Sequence, residues 1–169
     1  MLSLRGAEQL ELFARARAVR QACFADRAVV RGVIEITNLC RVNCTYCPMR
    51  RDNTRGNNAF SLDAEQILEA AGDIKALGIG VVFFQGGEVP QTTRLLAEVI
   101  PRIKDLFHAD VEVLLNIGIK PREEYALLRE RGADSVIVKY ETSDPLLHLR
   151  HREEPLQGRQ RDRCRHRLR

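Results

Sequence analysis

Residues 33–53 read VIEITNLCRVNCTYCPMRRDN, and the stretch changes character halfway along. Val33, Ile34, Ile36 and Thr37 are β-branched and predict a short strand over 33–37. That strand empties into a loop carrying Cys40, Cys44 and Cys47 at the spacing C-x3-C-x2-C. Three thiols on one short loop can supply three corners of a metal centre. Thiolate is a soft ligand that suits iron–sulfur clusters, zinc or Cu(I). A structural zinc closes its tetrahedron with a fourth Cys or His, and none stands at a finger spacing here; His108, His148, His151 and His166 are all remote in sequence. One corner is left open, and zinc is the secondary reading.

Upstream, residues 5–25 read as a helix, with Leu10, Phe13, Ala14, Ala18, Cys23 and Phe24 at roughly helical intervals and Cys23 expected as a core thiol. Downstream, Ser61 to Glu65 supply a helix cap and an acidic first turn, and Ile67, Leu68, Ala71, Ile74 and Leu77 carry the helix to Gly78. A strand over 80–85 then leads into Gly86-Gly87-Glu88, followed by a helix over 91–107 and a strand over 111–116. Pro121 opens a helix that Gly132 ends, and residues 135–140 read as a strand ending at Glu141.

These alternations predict an α/β fold. Apolar strands joined by helices make a parallel sheet covered on its faces, and right-handed crossovers curl it into part of a (β/α) barrel of TIM-barrel type, with about four β/α units after an amino-terminal helix. The cysteine loop, the Gly86–Glu88 segment, Asn116 and Glu141 fall at the carboxyl ends of successive strands, the edge where such barrels place their chemistry.

Composition agrees with a soluble globular chain: 169 residues, 44% hydrophobic, no apolar run long enough for a membrane span and no signal peptide, which together imply a cytoplasmic protein. The net charge of +4 is uneven. Residues 149–169 carry eight Arg against Glu153, Glu154 and Asp162, so residues 1–148 are close to neutral. After Pro145 no strand and no helix with a sustained apolar face is expected, and the Arg-rich text reads as a disordered tail from a truncated or frame-shifted continuation. It lacks aromatics interleaved among its arginines, which argues against a nucleic-acid partner. The expected division is a core over 1–148 and a tail over 149–169.

C-x3-C-x2-C after a first barrel strand, with Tyr46 just before the last Cys, resembles the radical S-adenosylmethionine (radical SAM) superfamily over roughly residues 30–150. The resemblance implies that Cys40, Cys44 and Cys47 hold three irons of a 4Fe-4S cluster and that SAM chelates the fourth. Reductive cleavage of SAM would then give a 5'-deoxyadenosyl radical that takes a hydrogen atom from a small-molecule substrate, with the electron coming from a donor such as flavodoxin or ferredoxin. It further implies that Gly86, Gly87 and Glu88 receive the SAM ammonium, that Glu141 accepts from the ribose hydroxyls, that Tyr46 lies against the adenine, and that Asn116 touches SAM or substrate. The cysteine stretch and KYETSDPLLH look most like the subgroup of biotin synthase, methylornithine synthase and the hydrogenase-maturation proteins, with Arg50-Arg51-Asp52-Asn53 favouring the last. The family's later strands, which bring a basic contact to the SAM carboxylate and much of the substrate wall, find no match in this chain. The competing expectation is a nonenzymatic iron–sulfur or zinc-binding module whose basic tail meets an acidic partner.

Overall fold

The computed structural model describes residues 3–53, 58–139, 141–142 and 144–152. The chain forms two compact units, residues 1–30 and residues 31–169. In the first, helix α1 (Gly6–Phe24) has no buried residue, and Leu10, Phe13, Ala14 and Ala18 line one open groove along it. Cys23, expected as a core thiol, is exposed. The helical periodicity holds, but among the described residues this unit has no second element to cover the stripe, so Cys23 sits in no core.

The second unit runs β1 (Gly32–Thr37), α2 (Ala64–Ala76), β2 (Val81–Gly86), α3 (Gln91–Leu106), β3 (Glu112–Asn116), α4 (Arg122–Glu130), β4 (Ser135–Val136) and α5 (Pro145–Arg152). Among the described residues its four strands form one sheet in chain order, and every neighbouring pair is parallel. A parallel sheet in sequential order with a helix in each of the crossovers is a segment of a β/α barrel; a doubly wound sheet would reverse its strand order.

The core lies between one face of this sheet and three helices. Ile34 and Ile36, Val82 and Phe84, and Val113 and Leu115 cluster with Ile67, Ala71 and Ile74 of α2, Leu96, Val99, Ile100 and Ile103 of α3, and Leu128 of α4. Each such side chain removed from water contributes roughly 1.5–3 kcal/mol, set against its ordering entropy. The other face is left partly open, as a sheet of four parallel strands is expected to leave one of its faces. Val33 there is 56% exposed, because this is the face that a barrel turns toward its interior. It carries a row of polar residues, Glu35, Gln85 and Asn116, in register across β1, β2 and β3.

Local chemistry sets the boundaries. Asp63 caps α2 by accepting from the Gln66 amide (2.9 Å), while the Gln66 side chain accepts from the Asp63 amide (3.0 Å), a reciprocal capping box. In β1 the register steps from Glu35 opposite Gln85 to Thr37 opposite Gly86, so Ile36 is the extra residue of a bulge that bends the strand where it meets the cysteine loop.

Two expectations need correction. The strand foreseen over 135–140 is only Ser135–Val136. Among the described residues it pairs with β3 alone, and its ladder ends where the Ile137 amide donates to the Leu115 carbonyl (2.7 Å). The pattern also continues past Pro145, because residues 145–152 form α5. The Asp144 carboxylate accepts from the Leu146 (2.8 Å) and Leu147 (3.1 Å) amides, and Pro145 fills the first helical position, where no N–H is needed. Tyr140, Ser143 and the expected tail from residue 153 onward lie outside the described residues. Among the described residues no helix is long and apolar enough to cross a membrane.

Asp134, just before β4, accepts from the Val113 amide (2.8 Å) and from Lys104 Nζ (2.7 Å). Burial pushes its pKa up, but these hydrogen bonds and the Lys104 charge outweigh burial and hold it below the ordinary aspartate value. A depressed native pKa adds stability above the unfolded value, and that stability is lost as pH falls through the native one. Asp134→Asn is expected to cost about 1 kcal/mol at neutral pH, the group being partly solvated. Urea melts of parent and variant should differ near pH 7 and converge as the pH is taken below the ordinary carboxylate range.

Candidate metal centre

The cysteine loop is fixed at both ends by the residues that flank it. Thr37 Oγ1 donates to the Phe60 carbonyl (2.7 Å) and accepts from the Leu39 amide (3.1 Å). Asn38 Nδ2 donates to the Asn58 carbonyl (2.7 Å), and Asn38 Oδ1 accepts from the Phe60 amide (2.9 Å). Farther along, Asn43 Nδ2 donates to Asp52 Oδ2 (2.8 Å) and the Arg51 amide to the Val42 carbonyl (3.0 Å), so Asp52 closes the loop on itself. Cys44 is buried and Cys40 and Cys47 are half-buried, all three as free thiols.

The segment after β2 meets this loop directly. The Glu88 amide donates to Cys40 Sγ (3.3 Å), the Arg41 amide to the Glu88 carbonyl (3.0 Å) and the Gly87 amide to the Thr37 carbonyl (3.2 Å). A Cβ on Gly87 would stand 1.9 Å from the Leu39 carbonyl oxygen and 2.9 Å from Cys40 Cβ. The close backbone approach that requires glycine at 87 is therefore made by the cysteine loop itself. The Glu88 side chain is only 5% exposed. Its Oε1 pairs with Arg41, while Oε2 accepts from the Ile119 amide (2.8 Å) and faces Arg152 Nη2 (3.5 Å). One carboxylate thus ties the cysteine loop, the end of β3 and α5 together.

Helix α5 closes the other side. The Thr45 amide donates to the His151 carbonyl (2.8 Å), and Thr45 Oγ1 hydrogen-bonds His151 Nδ1 (2.9 Å). The Tyr46 and His151 rings meet edge to face at 6.1 Å. Between them lies a cavity of about 170 Å³ lined by Tyr46, Glu141, Thr142, His148, His151 and Arg152. Burial raises the Cys44 pKa, and the nearby Arg152 charge works against that rise. Tyr46 is held un-ionised by burial and by Cys44 and Glu141. Glu141 has a left-handed backbone (φ 56°), a strained conformation for a residue other than glycine.

Of the residues singled out from sequence, Cys40, Cys44, Cys47, Gly86, Gly87 and Glu88 come together, and Tyr46 and Glu141 share the adjoining cavity. Asn116 stands one strand over, paired with Gln85 on the open face. Sequence reasoning missed Arg41, Thr45, His151 and Arg152 because their partners lie 47 to 106 residues away. It also missed Glu35 and Gln85, whose alignment with Asn116 comes from strand register. Among the described residues no three His, Cys, Asp or Glu are gathered on a single metal ion. The donor set nonetheless fits a thiolate-ligated cluster: three free thiols on one loop, an amide hydrogen bond to Cys40 sulfur, and Arg152 close by.

Gly87→Ala is expected to force the two backbones apart and cost about 1–3 kcal/mol, with faster hydrogen exchange at the Cys40 and Arg41 amides. Gly86→Ala, whose added Cβ would meet Ile36 side-chain carbon at 2.9 Å, should be milder in the same thermal melts.

Residues 34–161 match the Radical SAM superfamily. Curated relatives include the [FeFe] hydrogenase maturase subunit HydE of Thermotoga maritima, 34% identical over 81% of this chain and 38% of its own length. Biotin synthase of Acaryochloris marina is 28% identical over 85% of this chain and 42% of its own. The 3-methylornithine synthase of Methanosarcina barkeri is 26% identical over 88% and 42%. The chain therefore spans about two fifths of the length of these relatives. The crystal structure of methylornithine synthase (PylB) superposes with a TM-score of 0.83 at 25% identity, over 98% of this chain and 49% of that one. HydG, a maturase of the [FeFe]-hydrogenase, shares the fold with a TM-score of 0.77 at 23% identity, over 94% and 36%. With the partial β/α barrel and the three-cysteine loop in place, the chain belongs to the radical SAM superfamily.

Proposed function

We propose that this chain binds a 4Fe-4S cluster through Cys40, Cys44 and Cys47 and presents its remaining iron to S-adenosylmethionine, as the radical-generating part of an enzyme that acts on a small molecule. The observation that carries this reading is the Glu88 amide donating to Cys40 sulfur (3.3 Å), which joins the two segments that the chemistry needs at one point on the carboxyl edge. When bound, the cluster supplies an electron, received from a donor such as flavodoxin or ferredoxin, that cleaves SAM reductively to methionine and a 5'-deoxyadenosyl radical.

The chain's own residues hold and orient. Asn43 and Asp52 keep the loop closed, and Gly87 lets it lie flat on the turn after β2. Because the Glu88 carboxylate already holds Arg41, Arg152 and the Ile119 amide, we assign the SAM ammonium to the backbone of the Gly86–Glu88 turn. Tyr46 would lie against adenine and Glu141 would accept from the ribose hydroxyls, since both line the cavity beside the loop. The open face below, with Glu35, Gln85 and Asn116 side by side, suits a polar small-molecule substrate. The likeness to HydE favours a part in [FeFe] hydrogenase maturation.

Anaerobic reconstitution with iron and sulfide tests the reading. The expected result is an iron and sulfide content matching a 4Fe-4S cluster, an EPR signal that changes when SAM is added, and loss of both in Cys40→Ala, Cys44→Ala or Cys47→Ala. Stoichiometric zinc with no response to SAM would instead support a nonenzymatic metal module and overturn the proposal.

A further inference from the structure

We propose that Arg152 is a positioning residue of the cysteine site: from the last turn of α5 it holds the Glu88 carboxylate against the loop that carries Cys44, and supplies the positive charge next to the group the thiols bind. Three observations converge on it. Arg152 is only 5% exposed although it belongs to an Arg-rich segment whose neighbour Arg150 is exposed. Its Nη2 faces Glu88 Oε2 at 3.5 Å with both side chains buried. The residue before it, His151, receives the Thr45 amide at its carbonyl and contacts both Thr45 Oγ1 and the Tyr46 ring. The end of α5 is thus bonded to the loop between Cys44 and Cys47, and Arg152 carries the connection on to the turn after β2.

Two consequences follow from that placement. A buried guanidinium keeps its charge and strengthens electrostatics in a poorly solvated site. Net charge around an iron–sulfur cluster is one determinant of its reduction potential, and a nearby cation favours the reduced form. Removing the charge should make the cluster harder to reduce. Removing the contact should also loosen the cysteine loop, whether or not a cluster is present. The redox half rests on the cluster-binding reading above, whereas the loop half does not.

The test compares Arg152→Gln and Arg152→Lys with Arg150→Gln, which alters net charge equally on an exposed side chain of the same helix. In the full-length chain without cluster, hydrogen–deuterium exchange over residues 41–47 should be several-fold faster in Arg152→Gln, with β2 and β3 amides unchanged. After reconstitution and without SAM, EPR-monitored redox titration should give Arg152→Gln a more negative midpoint potential, while Arg152→Lys and Arg150→Gln stay at the parent value. If Arg152→Gln loses protection in β2 and β3, Arg152→Met takes its place, keeping an apolar stem in the buried site. Equal potentials in Arg152→Gln and Arg150→Gln, an equal shift in Arg152→Lys, or unaltered exchange over 41–47 overturns the proposal. A parent chain that takes up no cluster counts against the radical SAM reading alone, and the exchange comparison then decides the case of Arg152.

Discussion

No side chain at position 87 can coexist with the Leu39 carbonyl, because a Cβ there would sit 1.9 Å from that oxygen. The rest of the site depends on this contact between two backbones. With Gly87 flat against residues 39 and 40, the Glu88 amide reaches Cys40 sulfur and the Arg41 amide reaches the Glu88 carbonyl. The Glu88 side chain is then carried inward to the end of β3, where the Ile119 amide meets it and Gly118 leaves room for it. A glycine usually explained by ligand approach serves here first to let one loop lie on another.

Burying Glu88 would be unfavourable for a bare carboxylate, and its surroundings answer that cost with charge-assisted bonds. Arg41 comes from the cysteine loop and Arg152 from α5, so the carboxylate holds segments that are distant in sequence. Lys120 is buried in the same region, its ammonium bonded to the Val89 carbonyl, and burial lowers its pKa against the opposing pull of Glu124 and Glu88. The carboxyl edge of this sheet, where the cysteine loop lies, is therefore a network of charges centred on the buried Glu88, Lys120 and Arg152, and its geometry depends on all of them together.

Much of this was legible in the sequence because it is local. Alternating apolar runs and caps such as Asp63 give the β/α order, and the cysteine spacing marks the loop that the Gly86–Glu88 turn meets. Two errors had local causes that a stricter reading would catch. Asp144-Pro145 is a helix start, so α5 was visible in principle, and an apolar run at a sheet edge can read as a longer strand than the ladder of its one neighbour supports. The contacts of Arg152, His151 and Arg41 were not legible, because no pattern along the chain says which buried carboxylate or amide a distant side chain will meet. Neither was the row of Glu35, Gln85 and Asn116 across the open face, which depends on strand register and on β1 keeping its alternation until the bulge at Ile36.

Glu141 holds a left-handed backbone at φ 56°, a conformation that costs a residue with a Cβ about 1–2 kcal/mol and glycine almost nothing. Selection for durability alone would favour Gly or Asn there, and either would remove the carboxylate that lines the cavity beside Tyr46. If Glu141 holds the ribose as proposed, robustness and chemistry pull against each other at this position. Heat resistance gained by such an exchange at residue 141 would come with loss of the cavity's acidic wall.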